Sequence, residues 1–301
     1  QVMTISKSGL RRVALSGRFG QPRDEENPAK TVVRGFVLMA IDIVVFIFLG
    51  VFITKVLSGY LIRPVVHGFF CNDTSIRGEL YDNTIGTKQL LAVCLFVPLV
   101  LTLFFEAVLF HQASGVNKLA KYFLSSTYFF LEYLLTFTVL VGLMEIFKCA
   151  FGRLRPNFLS MCDVDWSKVD CKTDPNAYIE EVFCLREERH ERIARTSFPS
   201  GHTAAAIFFW MWVIKYTSSL AKASSNPLLG HLRILLIAIA TGWAWFTAAS
   251  RITDKWHHPT DVIGGIVLAC ICFFPVFGDK RLSVDYVYNR REINPPKVNF
   301  H

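Results

Sequence analysis

Six apolar segments, at roughly 35–57, 88–110, 123–147, 203–220, 231–250 and 262–278, set what this chain can fold into. A spanning helix needs about 20 mostly apolar residues, and a backbone in hydrocarbon must bond to itself, so such segments cross a bilayer as helices. Hydrophobic residues make up 52% of the 301, and the mean hydropathy of +0.37 is high for a water-soluble protein. The 27 Phe suit lipid-facing helix surfaces. The expected fold is all-α: a polytopic membrane protein with six transmembrane helices. The expected domains are a basic cytosolic N-terminal tail at 1–34, a six-helix membrane domain at 35–278 and a cytosolic C-terminal tail at 279–301. The first apolar run starts beyond residue 30 and is too long for a cleavable signal peptide.

Charge orients the bundle. The N-terminal segment carries Lys7, Arg11, Arg12, Arg18, Arg23, Lys30 and Arg34 against three acids, and the tail after 278 carries Lys280, Arg281, Arg290, Arg291 and Lys297. Lys118, Lys121 and Lys222 sit in the two short loops on the same side. The positive-inside rule makes that face cytosolic. The 148–200 loop also holds nine cations, but nine acids balance them. The net charge of +8 does not point to nucleic acid. Its cations flank apolar segments, where each attracts anionic lipid by about 1 kcal/mol, and no basic stripe with interleaved aromatics stands on a soluble domain.

The cysteines divide by the same topology. Cys94, Cys149, Cys270 and Cys272 fall in or at the ends of spans and read as small buried hydrophobes. Cys71, Cys162, Cys171 and Cys184 lie in the two long loops facing away from the cytosol, an oxidising side where four cysteines allow three pairings. Cys162–Cys171, which closes a short loop, is the favoured pair. Asn72-Asp73-Thr74 on that face is an N-glycosylation sequon.

Three short blocks at the edges of these segments carry the chemistry. The first is Lys148-x6-Arg155-Pro156. If the third span continues, Lys148 and Arg155 lie two turns apart on one side of a helix that Pro156 ends; Arg offers a planar fork for phosphate oxygens and Lys a point charge. Arg153, between them, could add a second guanidinium. Singly, they also read as snorkelling residues at a membrane boundary. The second block, Pro199-Ser200-Gly201-His202, opens the fourth span. Ser200 is a candidate N-cap, and Gly201 lets an anion approach the free N–H groups of the helix start, with His202 aimed at it. The third is Ser250-Arg251-x5-His257-x3-Asp261. Four residues apart on a helix, His257 and Asp261 share a face. A carboxylate accepting one ring N–H fixes the tautomer and leaves the other nitrogen as a nucleophile. A metal site from His202, His257, His258 and Asp261 is the rival reading. Adjacent histidines do not readily aim at one ion, and the cations would repel it. With six spans and cytosolic tails, all three blocks fall on one outer face.

In this order the three blocks resemble the type-2 phosphatidic acid phosphatase superfamily, and within it the animal lipid phosphate phosphatases. Gly-Arg-Leu-Arg-Pro at 152–156, Asp165-Trp166-Ser167-Lys168, the length and the six-span layout carry the likeness across residues 35–278. The resemblance implies a metal-independent enzyme without cofactor. It implies His257 as the nucleophile that forms a phosphohistidine, Asp261 as the residue orienting it, and His202 as the acid for the leaving alkoxide and later the base for water. Lys148, Arg155 and Arg251, with N–H groups near Ser200 and Gly201, would hold the phosphoryl oxygens. The substrate implied is an amphipathic phosphate monoester such as phosphatidate, lysophosphatidate, ceramide 1-phosphate or sphingosine 1-phosphate, and the setting is lipid signalling.

The expected partners are that lipid and the bilayer, with a homo-oligomer left open; the expected location is the plasma membrane, or the ER or Golgi, with the site extracellular or luminal. The blocks read only the phosphoryl group, so a sugar phosphate, a polyprenyl diphosphate or a sphingolipid headgroup transfer stays open. A silent lipid-binding scaffold is disfavoured by the presence of both histidines, and a transporter by polar residues that line one membrane edge rather than the bilayer middle. Asp42, Glu106, Glu132 and Glu145 fall in or near spans and are expected to make interhelical hydrogen bonds.

Overall fold

The computed structural model describes residues 28–59, 61–112, 118–223 and 227–278. Residues 1–27 and 279–301, which hold most of the tail cations behind the orientation expectation, lie outside the described residues.

Each apolar segment forms a helix, and the first five of these helices outrun their apolar cores. In chain order these are α1 (Pro28–Leu57), α2 (Thr87–Gln112) and α3 (Lys118–Phe151), then α6 (Gly201–Ala223), α7 (Pro227–Thr253) and α8 (Pro259–Phe273), which runs into a π-helical turn at Phe274–Gly278. Two short helices, α4 (Phe158–Cys162) and α5 (Glu188–Ala194), and two short strands, β1 (Phe69–Phe70) and β2 (Tyr178–Ile179), lie in the connections. Among the described residues five helices are long and apolar enough to cross a membrane: those at Thr87–Val108, Ser125–Phe151, Gly201–Ala221, Pro227–Thr253 and Pro259–Phe277. The protein is an integral membrane protein, mostly helical. α1 packs on α3 and turns outward an apolar stripe, Val37, Ile41, Val44, Phe48 and Val51, at spacings of four and three.

The middle of the bundle is α6, which touches α2, α3, α7 and α8. Its span is 61% buried, against 22–44% for the other four. Sequence explains this. Ala204, Phe208, Trp212 and Tyr216 recur every four residues, so they line one face, and each is at most 1% exposed. Trp212 stacks on Tyr216 at 4.7 Å and meets Tyr133 of α3 at 4.9 Å. Ordered aromatic pairs add about 0.5–1.5 kcal/mol each beyond burial, which matters where lipid removes the hydrophobic drive between helices. The Tyr133 hydroxyl donates to the Cys94 carbonyl of α2 at 2.7 Å. Glu106 of α2 accepts from Ser125 of α3 at 2.7 Å and from Tyr216 of α6 at 3.4 Å, the interhelical role expected of it. Glu145 differs: it pairs with Lys148 within its own helix.

One end of the bundle carries a folded cap built from residues 61–86 and 152–200. β1 and β2 pair antiparallel, Phe69 opposite Ile179 and Phe70 opposite Tyr178. Phe69, Ile76, Phe158, Met161, Val164, Val169 and Ala194 make a small core of its own. The cap overturns the favoured cysteine pairing: the disulfides are Cys71–Cys171 and Cys162–Cys184. The reason lies in the backbone. Leu185 N–H bonds Asp163 O, Asp165 N–H bonds Phe183 O and Val164 bridges to Cys184, so residue 184 lies beside residue 162. The Cys71 N–H bonds Ala177 O next to the β1–β2 pair, which brings residue 71 to the loop that carries residue 171. Cys94, Cys149, Cys270 and Cys272 are free; three are buried, as expected, and Cys270 is half-buried.

Candidate active site

The cap and four helix ends converge on one place: the C-termini of α3 and α7 and the N-termini of α6 and α8. All three blocks meet there, but two of them reach it by a different route from the one their spacing suggests.

The first block does not continue as helix. α3 ends at Phe151, and Gly152 turns the chain with φ +54° while Val65 O stands 2.1 Å from where a Cβ would be. Only glycine meets both demands. Lys148 therefore stays in the last turn of α3, paired with Glu145 Oε1 at 2.7 Å, and Arg155 arrives on a non-helical segment. Arg155 is 7% exposed and donates to three carbonyls: Nε to Ile193 at 2.6 Å, Nη1 to Trp256 at 3.1 Å and Nη2 to Thr196 at 3.2 Å. A guanidinium has five N–H groups, so one on each Nη remains for a ligand. Burial lowers its pKa to about 10, so it stays charged at neutral pH. Arg153 does not join it. Its Nη1 reaches Asp261 Oδ1 at 2.6 Å and Thr260 Oγ1 at 2.7 Å.

The second block begins α6 as expected. The Ser200 hydroxyl shares a 3.0 Å bond with Thr203 Oγ1 rather than capping a backbone N–H. The Ser200 N–H is also committed, to Asp261 O at 2.9 Å. The ladder begins with Ala204 N–H on Ser200 O, so the backbone donors it leaves over are those of Gly201, His202 and Thr203. A Cβ at Gly201 would stand 2.4 Å from Met144 Sδ and 3.4 Å from Lys148 Nζ, so a side chain here would collide with Met144 and crowd the lysine. The Nε2 atom of His202 is buried and has no hydrogen-bond partner.

The third block straddles a helix start. His257 lies in the turn before α8, and Asp261 is its third residue, so they do not share a helix face. The four-residue spacing works through capping: Asp261 Oδ2 accepts the His258 N–H at 2.9 Å, folding the carboxylate back over the turn. His257 Nδ1 lies 2.7 Å from the Ser197 carbonyl and 3.7 Å from Asp261 Oδ2. A carbonyl only accepts, so Nδ1 carries the proton and Nε2 holds the lone pair. Burial, and then the charge of Arg155, push the His257 pKa down to about 3; the ring is neutral at physiological pH. Burial lowers that of His258 too, and its Nε2 sits 3.2 Å from Leu154 O, a structural contact.

Arg251 is 1% exposed and held from three sides: by Ser250 Oγ, by Asp254 Oδ2 at 3.1 Å and by Asn83 Oδ1 at 2.7 Å. Asp254 also accepts the Thr84 N–H at 2.9 Å and its hydroxyl at 2.8 Å. Asn83, Thr84, Asp254 and Ser197 were not candidates on sequence. Asp254 sits inside the third block and Ser197 just ahead of the second, so position was a usable signal for those two; Asn83 and Thr84 carry none. Among the described residues no three His, Cys, Asp or Glu side chains gather as a metal site.

A buried neutral histidine among fixed cations, at one end of a bundle of apolar helices, defines a class: a helical membrane protein with a phosphatase-type centre. The chain belongs to the PAP2 superfamily, which matches residues 129–282, half of its length and all three blocks. Its relatives agree. Phospholipid phosphatase 1 of Mus musculus is 26% identical over 273 residues, covering 87% of this chain and 92% of its own. Phospholipid phosphatase 2 of Bos taurus is 27% identical over 242 residues, covering 78% of this chain and 77% of its own. A Drosophila melanogaster relative is 26% identical over 230 residues; the match covers 69% of this chain and 60% of that protein's length. No solved structure gives a significant match.

Proposed function

We propose that this protein hydrolyses membrane lipid phosphate monoesters, of the class of phosphatidate, lysophosphatidate, ceramide 1-phosphate and sphingosine 1-phosphate, through a phosphohistidine and without a metal. The observation that carries the reading is the tautomer of His257: Nδ1–H held by Ser197 O, Nε2 free, the ring neutral and Lys148, Arg155 and Arg251 around it. The Nε2 lone pair attacks phosphorus; the P–N bond forms as the ester P–O bond breaks, and His202, which takes up a proton as the phosphate anion binds beside it, gives that proton to the leaving alkoxide. Water then attacks phosphorus, His202 takes its proton, and the P–N bond breaks to release inorganic phosphate and the free ring. The unpartnered Nε2 of His202 suits that donor position. Phosphoryl transfer depends on placing positive charge around the equatorial oxygens, which the three cations and the Gly201 and His202 N–H groups would supply.

In this reading α1 is the sixth span, both tails are cytosolic and the cap faces the lumen or cell exterior. Both disulfides and the sequon at Asn72 suit an oxidising compartment. Asn72 is exposed on the cap, its Nδ2 donating to Asn176 Oδ1 at 2.7 Å. The plasma membrane fits best, with the ER or Golgi as alternatives.

The test is phosphate release by purified protein in EDTA, across these lipids, a polyprenyl diphosphate and a soluble sugar phosphate. Wild type should cleave the lipids fastest and carry acid-labile phosphate when quenched in mid-turnover; His257→Ala should do neither. A preference for the sugar phosphate or diphosphate would move the protein to another substrate. Activity lost in EDTA and restored by Zn²⁺ or Mg²⁺ would replace the metal-free mechanism.

A further inference from the structure

All three polar groups of one residue outside the three blocks, Ser197, are spent on the site. Its N–H donates to the Arg153 carbonyl at 3.0 Å. Its carbonyl accepts from His257 Nδ1 at 2.7 Å. Its hydroxyl donates to Asp261 Oδ2 at 2.6 Å. Ser197 is fully buried, so water replaces none of these bonds. Asp261, also fully buried, is fixed on its other oxygen by Arg153 and at its backbone carbonyl by Ser200.

The nearest acceptor to the His257 ring is thus a backbone carbonyl, and the carboxylate stands 3.7 Å off, beyond hydrogen-bond length. We propose that Ser197 is the positioning residue of this site: its carbonyl sets the His257 tautomer, and Asp261 orients the ring by anchoring the Ser197 hydroxyl rather than by bonding the ring itself. Ser197 stands directly before Phe198-Pro199 and the start of α6, with its carbonyl facing the histidine and its side chain facing the head of α8. Arg153 completes the assembly by closing the last strong side of the carboxylate. The inference rests on the proposed use of His257 as nucleophile.

A cycle of variants tests it: Ser197→Cys, Asp261→Asn and the pair, each assayed for kcat and KM on lysophosphatidate and on p-nitrophenyl phosphate. Cysteine weakens the donor but is bulkier than serine, whereas alanine removes the donor without adding bulk, so a role in packing alone would spare Ser197→Ala even if the larger thiol slowed Ser197→Cys. The expected result is a fall of about tenfold to a hundredfold in kcat with KM unchanged, the size of a lost hydrogen bond to a charged group. The double variant should be no slower than the slower single one, because both changes cut the same link. Effects that multiply would show that Asp261 acts on the ring without Ser197, and a Ser197→Cys rate within threefold of wild type would overturn the proposal. Ser197→Ala serves as the second variant should the thiol form a new disulfide; it must lose at least as much. Wild type that cleaves the aryl phosphate but no lipid would sink the substrate reading and still decide this one. Inactivity of wild type on both would sink the two together.

Discussion

Arg251 Nη1 lies 2.7 Å from Asn83 Oδ1, a residue 168 positions away in the first cap loop. That bond, with Asp254 gripping both Arg251 and Thr84, makes the loop part of the wall proposed to bind phosphate. Four of the five guanidinium N–H groups are then committed to Asn83, Ser250 and Asp254, and one remains on Nη1 for substrate.

The clamp predicts how its parts fail. Asn83→Ala should leave the fold intact and raise KM several-fold, because a freed arginine must be ordered at each binding event, at about 1–2 kcal/mol of side-chain entropy. Asp254→Asn should cost more, since it removes the charge facing a buried cation and weakens the hold on Thr84. Steady-state kinetics of both variants check the order. Asn83→Ala with the wild-type KM would show that the loop merely lies near the site.

Glu145 and Lys148 form a 2.7 Å ion pair with little exposure on either side. In the proposed mechanism the carboxylate offsets the lysine charge until a phosphoryl group arrives. Glu145→Gln should tighten inhibition by inorganic phosphate or vanadate while lowering thermal stability. Lys148→Ala should destabilise further, since it leaves a buried carboxylate unpaired, a loss of about 3–5 kcal/mol. Inhibition constants and melting temperatures test this; weaker inhibition in Glu145→Gln would mean that the carboxylate aids binding by placing the lysine.

Which parts were readable in advance follows from the range of the forces involved. The helices were, because each is a local run of apolar residues long enough to cross lipid with its backbone bonded to itself. The three blocks were recognisable as one site, since each sits at a helix end and the ends alternate sides. What failed was geometry set by single residues or by distant ones. Gly152 breaks the helix that would have carried Arg155, and Asp261 meets His257 through a cap rather than a shared face. Cys71–Cys171 depended on β1 meeting β2, two two-residue strands more than a hundred positions apart, and Cys162–Cys184 on a single bridge at Val164; neither leaves a periodic signal. Asn83 reaches Arg251 through a loop whose sequence is ordinary.

His257 predicts a dependence of stability on pH. The unfolded ring takes up a proton near pH 6.5, whereas the native ring stays neutral to about pH 3. Its share of stability is complete above pH 6.5 and is lost as pH falls from there toward 3, because the unfolded state binds the extra proton. His257→Gln removes that titration. The gap in melting temperature between wild type and variant should therefore narrow from pH 7.5 to pH 4.5. A constant gap would show that the native ring protonates as readily as the unfolded one.

The disulfides separate a structural role from a catalytic one. Cys71–Cys171 closes a loop with a sequence separation of 100, and Cys162–Cys184 one of 22. By loop entropy the longer closure contributes about 1 kcal/mol more. It is also the covalent tie on the cap segment that holds Asn83, while the shorter one pins α4 within the cap. The Cys71→Ser/Cys171→Ser variant should lose more thermal stability than Cys162→Ser/Cys184→Ser. It should also reproduce the raised KM of Asn83→Ala, since a loosened first loop no longer presents Asn83 to Arg251. Melting temperatures under non-reducing conditions and KM for the same substrate decide both points. A Cys71→Ser/Cys171→Ser variant that melts early but keeps the wild-type KM would show that the Thr84–Asp254 bonds alone hold the loop on the site.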